Sequence, residues 1–162
     1  MQEKIDQYKT EFSQAIGGAK HALATTPENL LTWSPSKTAR SALQVGAHIA
    51  IGGRDMLGNL TGDTFPIDTT EEAEKFHRER DSKVETLAEC NELLDALTAD
   101  YFKWLDGLTE ESLSLLMKLP FGMGEIPVGM GITFMPVHVN WHTAQINYIQ
   151  TIYGDHDWHM PK

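Results

Sequence analysis

Residues 87–108 read LAECNELLDALTADYFKWLDGL, and the spacing of their apolar side chains decides the fold. Leu87, Cys90, Leu94, Leu97, Tyr101, Trp104 and Leu108 alternate steps of three and four, which sets them in one line along a helix. So straight a seam predicts a long helix packed nearly parallel to its neighbours, as in a bundle. Just upstream, Thr69 and Glu72 have capping-box spacing, and the polar run EEAEKFHRERD (71–81) is expected to lead into this same helix.

Three other segments share the period. From about Glu3 to Leu23, Ile5, Tyr8, Phe12, Ala15, Ala19 and Ala22 define one face, weakened by Gly17 and Gly18. A second helix is predicted from Ser34-Pro35, an N-cap followed by a proline at the first helical position, to about Leu60. Val45, Ile49, Gly52 and Met56 line its inner side, and the Gly-Asn and Gly-Asp pairs at 58–59 and 62–63 end it. After a short turn at Thr109, the stretch LPFGMGEIPVGMG (119–131) predicts an irregular connection with a short extended piece. The last helix is expected to follow Pro136 and to end near Tyr153-Gly154, with Gly154 as the C-terminal cap. Four amphipathic helices with one long connection make a single-domain, all-α four-helix bundle over residues 1–162.

The composition narrows the function. The chain has 162 residues, 41% hydrophobic and 22% charged, with a net charge of −10 that repels phosphate backbones and anionic lipid. Nucleic acid and membrane are therefore not expected partners. The N-terminal MQEKIDQYKTEF has no apolar block, so no secretory leader is expected, and the lone Cys90 cannot form an internal disulfide. Both point to a cytoplasmic setting.

The chemistry gathers in the last helix. His138 and His142 are four residues apart, so both imidazoles project from one face about a turn apart, near enough to share a metal ion. They stand in line with Gln145, Ile149 and Ile152, which aims them toward the interior. Two ordinary histidines satisfied by carbonyls or water would give the same pattern. An open metal site commonly keeps three protein ligands, and His48 is the best third candidate. It sits beside Val45, Ile49 and Gly52, on a small-residue face (Gly46, Ala47, Ala50) that lets another helix approach closely. Asp55, two turns on along the same side, is either a partner behind the ligands or an exposed helix residue, and the latter is expected.

The ordered set of Trp33-Ser34-Pro35, His48, and a late His138-x-x-x-His142 followed by Gln145 resembles the DinB-like superfamily of metal-binding four-helix bundles, over about residues 5 to 155. The resemblance implies an up-down-down-up topology, and His48, His138 and His142 as ligands of a divalent ion such as zinc or nickel. It also implies kinship with thiol-dependent transferases, and a homodimer, since dimers recur in the family. Three neutral imidazoles leave such an ion its full charge and an open position, where it can lower the pKa of a bound water or thiol. The expected function is a metal-dependent transferase or hydrolase acting on a small molecule or thiol substrate. The alternative is a non-catalytic, stress-associated scaffold or dimeric interaction protein with a structural metal or none.

Other constellations carry less. Glu74 and His77 match the Glu-x-x-His of di-iron bundles, but no second copy occurs, and His77 is expected on a solvated, charged surface. Cys90, in the apolar seam, is expected to be buried and inert. Asn140 and Trp141 are expected to pack or face solvent, and His21 carries no signal. The tail DHDWHMPK, with His156 and His159, is expected to be a loosely ordered terminus. Gly122 to Gly131 lack the lysine of a phosphate loop and are turn residues or a cover over the metal. Met123, Met130 and Met135 either line an apolar pocket there or fill gaps in the core.

Overall fold

The computed structural model describes residues 1–63 and 65–160. Its helices are α1 (Gln2–Thr25), α2 (Ala42–Thr61), α3 (Thr70–Asp81), α4 (Leu87–Asp106), the single turn α5 (Val128–Gly131) and α6 (Phe134–Ile152). A two-stranded antiparallel hairpin, β1 (Leu116–Lys118) and β2 (Glu125–Pro127), precedes α5, with Met117 opposite Ile126. The long helices α1, α2, α4 and α6 form the bundle. Around it α1 neighbours α4 and α6, and α2 neighbours the same two, so α1 and α2 stand on one diagonal.

Named contacts fix the helix directions. Lys4 pairs with Glu110, Lys9 with Asp106 and Lys20 with Asp95, so α1 and α4 are antiparallel. A methyl group at Gly46 would come within 2.9 Å of the Cys90 sulfur, and one at Gly53 within 2.6 Å of Leu97. Both contact positions advance together, so α2 runs parallel to α4. That pair is close because glycine removes the Cβ where a seam residue of α4 presses in. Gln150 of α6 bonds the Ala22 carbonyl and the hydroxyl of Thr26 near the end of α1, while His138 and His142 meet His48 in the middle of α2. The order is up-down-down-up.

The core follows the predicted faces. Ile5, Phe12, Ala15, Ala19 and Ala22 of α1 are buried, as are Cys90, Leu94, Leu97 and Tyr101 of α4. Phe12 meets Tyr101 edge-on with ring centroids 4.6 Å apart, an arrangement that stabilises by about 0.5–1.5 kcal/mol beyond burial. Leu105 is buried where the seam predicted Trp104, which is half-buried against the same cluster. Gly17 and Gly18 do not interrupt α1, and a side chain at either would meet open space.

Four boundaries differ from expectation. Helix α2 starts at Ala42, not at Ser34-Pro35. The Ser34 hydroxyl turns to the carbonyls of Ser36 and Ala39, at 2.6 and 2.8 Å, while Ser41 and Gln44 make the reciprocal capping box. The predicted third helix is two. Thr69 caps α3, the chain turns after Asp81, and a second capping box, Thr86 with Glu89, starts α4. Helix α6 begins at Phe134, with Pro136 in the first turn, where the missing N–H has no intrahelical partner to lose. The glycine-rich connection contains an ordered hairpin, and Gly154, with φ of 97°, caps the end of α6.

Candidate metal centre

Helices α2 and α6 are antiparallel, and Gly52 lets them touch. A methyl group there would stand 3.3 Å from Cε1 of both His48 and His138, so glycine keeps the space the two rings share. One nitrogen from each of His48, His138 and His142 lies within 4.8 Å of the others. Ring centroids are 4.6 Å apart for His48–His142 and His138–His142, and 5.5 Å for His48–His138. All three side chains are partly buried. They flank, rather than join, the fully buried stripe of α6, which is Met135, Val139, Ile146 and Ile149.

Each histidine is held differently. Nδ1 of His142 lies 3.0 Å from Oε1 of Gln145, one turn on, which leaves Nε2 as the free nitrogen when Nδ1 carries the proton. Nδ1 of His48 faces Oδ2 of Asp81 at 3.3 Å, too poorly aligned for a hydrogen bond but near enough for electrostatic attraction. Nε2 of His138 is buried and, among the described residues, has no hydrogen-bond partner. Burial pushes the His138 imidazole down to about 3, and the neighbouring His142 and His48 add to the shift. Burial lowers His142 as well, against the opposing effect of its hydrogen bond to Gln145. Both are therefore neutral at physiological pH, the form in which imidazole binds a cation.

Helix α3, read from sequence as a polar lead-in, lies along α2 beside this cluster. Asp81, 1% exposed, accepts a 2.8 Å hydrogen bond from Nε of Arg40, and Arg40 also grips Glu74 with both terminal nitrogens, at 3.0 and 3.2 Å. Burial alone would raise the Glu74 carboxyl, but the bonds and charges of Arg40 and Arg78 outweigh it and lower it. His77 is not on a solvated surface. Its ring packs edge-on to His48 at 4.9 Å and stacks on Phe65 at 5.8 Å, and burial followed by the His48 charge lowers its pKa. Asp55 is not simply exposed either, since it accepts a 2.7 Å hydrogen bond from Arg80 and stands 3.7 Å from Nδ1 of His77. Asp81 and Arg40 escaped the sequence reading because each looks like an ordinary surface charge until the two helices are set side by side.

The remaining candidates fall elsewhere. Cys90 is fully buried under Gly46, and burial pushes its thiol up to about 12. Asn140 and Trp141 face solvent, Trp141 at 72% exposure. Met135 is core, Met130 is exposed, and Met123 lines a cavity under the hairpin. The tail folds back instead of trailing: His159 bonds Asp155 at 2.8 Å and its carbonyl meets the His21 ring. Pro161 and Lys162 lie outside the described residues.

The family model of the DinB superfamily matches residues 11–146. The chain belongs to the DinB superfamily. Among solved structures, YfiT from Bacillus subtilis, described as a probable metal-dependent hydrolase with an unusual four-helix bundle topology, superposes with a TM-score of 0.74 at 20% identity, covering 95% of this chain and 90% of that one. A DinB-like protein from Bacillus cereus gives 0.69 at 12% identity, covering 92% of each chain. The sibling lethal factor precursor DfsB gives 0.71 at 14%, covering 93% of this chain and 97% of its own. No curated protein sequence matches the chain. At these identities the likeness is one of fold, and DinB bundles with such different descriptions share it.

Proposed function

We propose that this DinB protein binds one divalent metal ion, zinc or nickel, through His48, His138 and His142, and works as a metal-dependent hydrolase or thiol-dependent transferase on a small molecule. The observation that carries the reading is the buried, unpartnered Nε2 of His138, gathered with nitrogens of His48 and His142 within 4.8 Å. A buried nitrogen without a partner costs about 1–3 kcal/mol, and a bound cation would remove that cost. The donor set fits such an ion: all imidazole, neutral at His138 and His142, with one nitrogen of each within 4.8 Å of the others. When bound, the ion would supply a Lewis acid that lowers the pKa of a water or thiol in its open position. The chain's own part is to orient the ligands, with Gln145 and Asp81 on the far nitrogens, and to keep one side of the site apolar. The description of YfiT as a probable metal-dependent hydrolase supports the same reading.

Metal content by mass spectrometry on untagged protein, beside His48→Ala and His138→Ala variants, tests it. About one ion per chain, lost in both variants, is the expected result. A wild type that takes up none after incubation with zinc or nickel refutes it.

One observation favours the interaction-protein reading. Val137, Trp141, Tyr148 and Ile152 are exposed along one side of α6, an apolar strip suited to a second copy of the chain. Sedimentation of wild type and Trp141→Glu decides that point, with a dimer converted to monomer as the expected result.

A further inference from the structure

A second feature opens beside the histidines. Between the last turns of α2, the hairpin and the start of α6 lies a cavity of about 750 Å³, within the usual size range of small-molecule sites. Met56 lines it from α2, Met117 and Phe121 from the hairpin, and Phe134 and Val137 from α6. His138 belongs to both this wall and the histidine cluster. In a chain that is 22% charged, none of the lining residues among those described is Asp, Glu, Lys or Arg. A carboxylate, phosphate or ammonium placed inside would lose its hydration with nothing to pair it.

The polar groups in the wall are few. The Thr133 hydroxyl is spent on the Met130 carbonyl at 2.7 Å. Asn59 is 8% exposed and lines the cavity, and among the described residues no hydrogen bond is made by its side-chain amide. A buried amide facing an apolar cavity is a ready partner for one neutral donor or acceptor on a ligand. The hairpin forms a fixed roof: Leu119 N–H bonds the Gly124 carbonyl at 2.8 Å, and Phe121 holds a left-handed backbone (φ of 59°) with its ring 5.8 Å from Phe65.

We infer that this cavity binds an uncharged, mainly apolar small molecule, such as a medium-length alkyl or aryl group carrying one hydroxyl, amide or ester, with its polar atom on Asn59 and one end against His138. As a substrate site it rests on the metal-site reading. As a binding site it does not.

Calorimetric titration of n-hexanol, n-octanol and sodium octanoate into the purified protein, before and after chelator treatment, tests it. One octanol per chain is expected, with affinity rising about fourfold per methylene from hexanol to octanol. In the chelator-treated protein octanoate is expected to bind at least tenfold more weakly than octanol, and the chelator to leave the octanol value unchanged. Val137→Glu and Met123→Glu, both at exposed positions of the rim, should each lower octanol affinity at least tenfold in a chain with an unaltered circular dichroism spectrum. Asn59→Leu should weaken octanol severalfold while leaving toluene within twofold. Octanoate binding as tightly as octanol, or folded glutamate variants that bind octanol like wild type, overturns the inference. Failure of the metal reading would appear as absent metal with octanol binding intact, and failure of the cavity as the reverse.

Discussion

Asp81 stands between two side chains: its Oδ2 is 2.8 Å from Nε of Arg40 and 3.3 Å from Nδ1 of His48. The carboxylate ends α3 and reaches the first half of α2, so a helix that contributes no ligand to the cluster sets a carboxylate against one ring in it. Removing the carboxylate charge with its shape retained, as Asp81→Asn, should cost ten- to a hundredfold in metal affinity, the usual penalty for losing a group that orients a ligand. Competition against a chromogenic chelator measures it. An unchanged affinity would mean that Asp81 serves only to anchor Arg40.

His138 sets function against stability. Its Nε2 is buried and unpaired, at a cost of about 1–3 kcal/mol in the absence of a ligand. His138→Leu is therefore expected to abolish metal uptake and to raise the unfolding free energy of metal-free protein by about 1 kcal/mol. Urea denaturation in the presence of chelator decides it.

Gly52 should separate the same two quantities in another way. Gly52→Ala gains up to about 1 kcal/mol of helix propensity but pushes its methyl to 3.3 Å from both His48 and His138. We expect unchanged or slightly higher melting temperature and at least tenfold weaker metal retention. Retention equal to wild type would show that the rings move aside freely.

The metal-free protein should lose stability as pH falls below about 6.5. His138 is pushed down from 6.5 to about 3 by burial, and burial lowers His142 and His77 too. Over that window the unfolded chain binds protons that the folded chain refuses, so acid favours unfolding. His138 contributes a slope of at most about 1.4 kcal/mol per pH unit, present below 6.5 and absent above it. Urea midpoints measured from pH 8 to 5 check this. A flat profile would mean that the histidine cluster opens to water.

Cys90 should resist thiol reagents in the native state. Burial raises its thiol to about 12, which leaves almost no thiolate at pH 8. Reaction with a disulfide reagent is expected only at the rate of unfolding, and a fast native phase would contradict the packing of α2 on α4.

The bundle and the three histidines were legible because apolar periodicity and an i, i+4 pair are signals within one helix. What surrounds the histidines was not. His77 sits in EEAEKFHRERD, and its neighbours in sequence are charges, yet its neighbours in space are His48 and Phe65. Polar residues that pair across helices, as Arg40 with Glu74 and Asp81, leave no periodic mark in the sequence. The boundaries did leave marks. Ser41 with Gln44 and Thr86 with Glu89 both have capping-box spacing and name the starts of α2 and α4, whereas Ser34-Pro35 was the more familiar signal and the wrong one. The short extended piece expected in the glycine-rich connection is there, but its pairing into a hairpin could not be read because two strands of three residues are too short to show alternation.

The histidines come from positions 48, 138 and 142, in the first half of α2 and the first half of α6. On a translating ribosome, His48 therefore emerges about 90 residues ahead of its partners, and neither Asp81 nor Gly52 can complete the cluster for it. Whatever cation the site takes up would be acquired only once synthesis has passed α6, after the other three bundle helices have emerged.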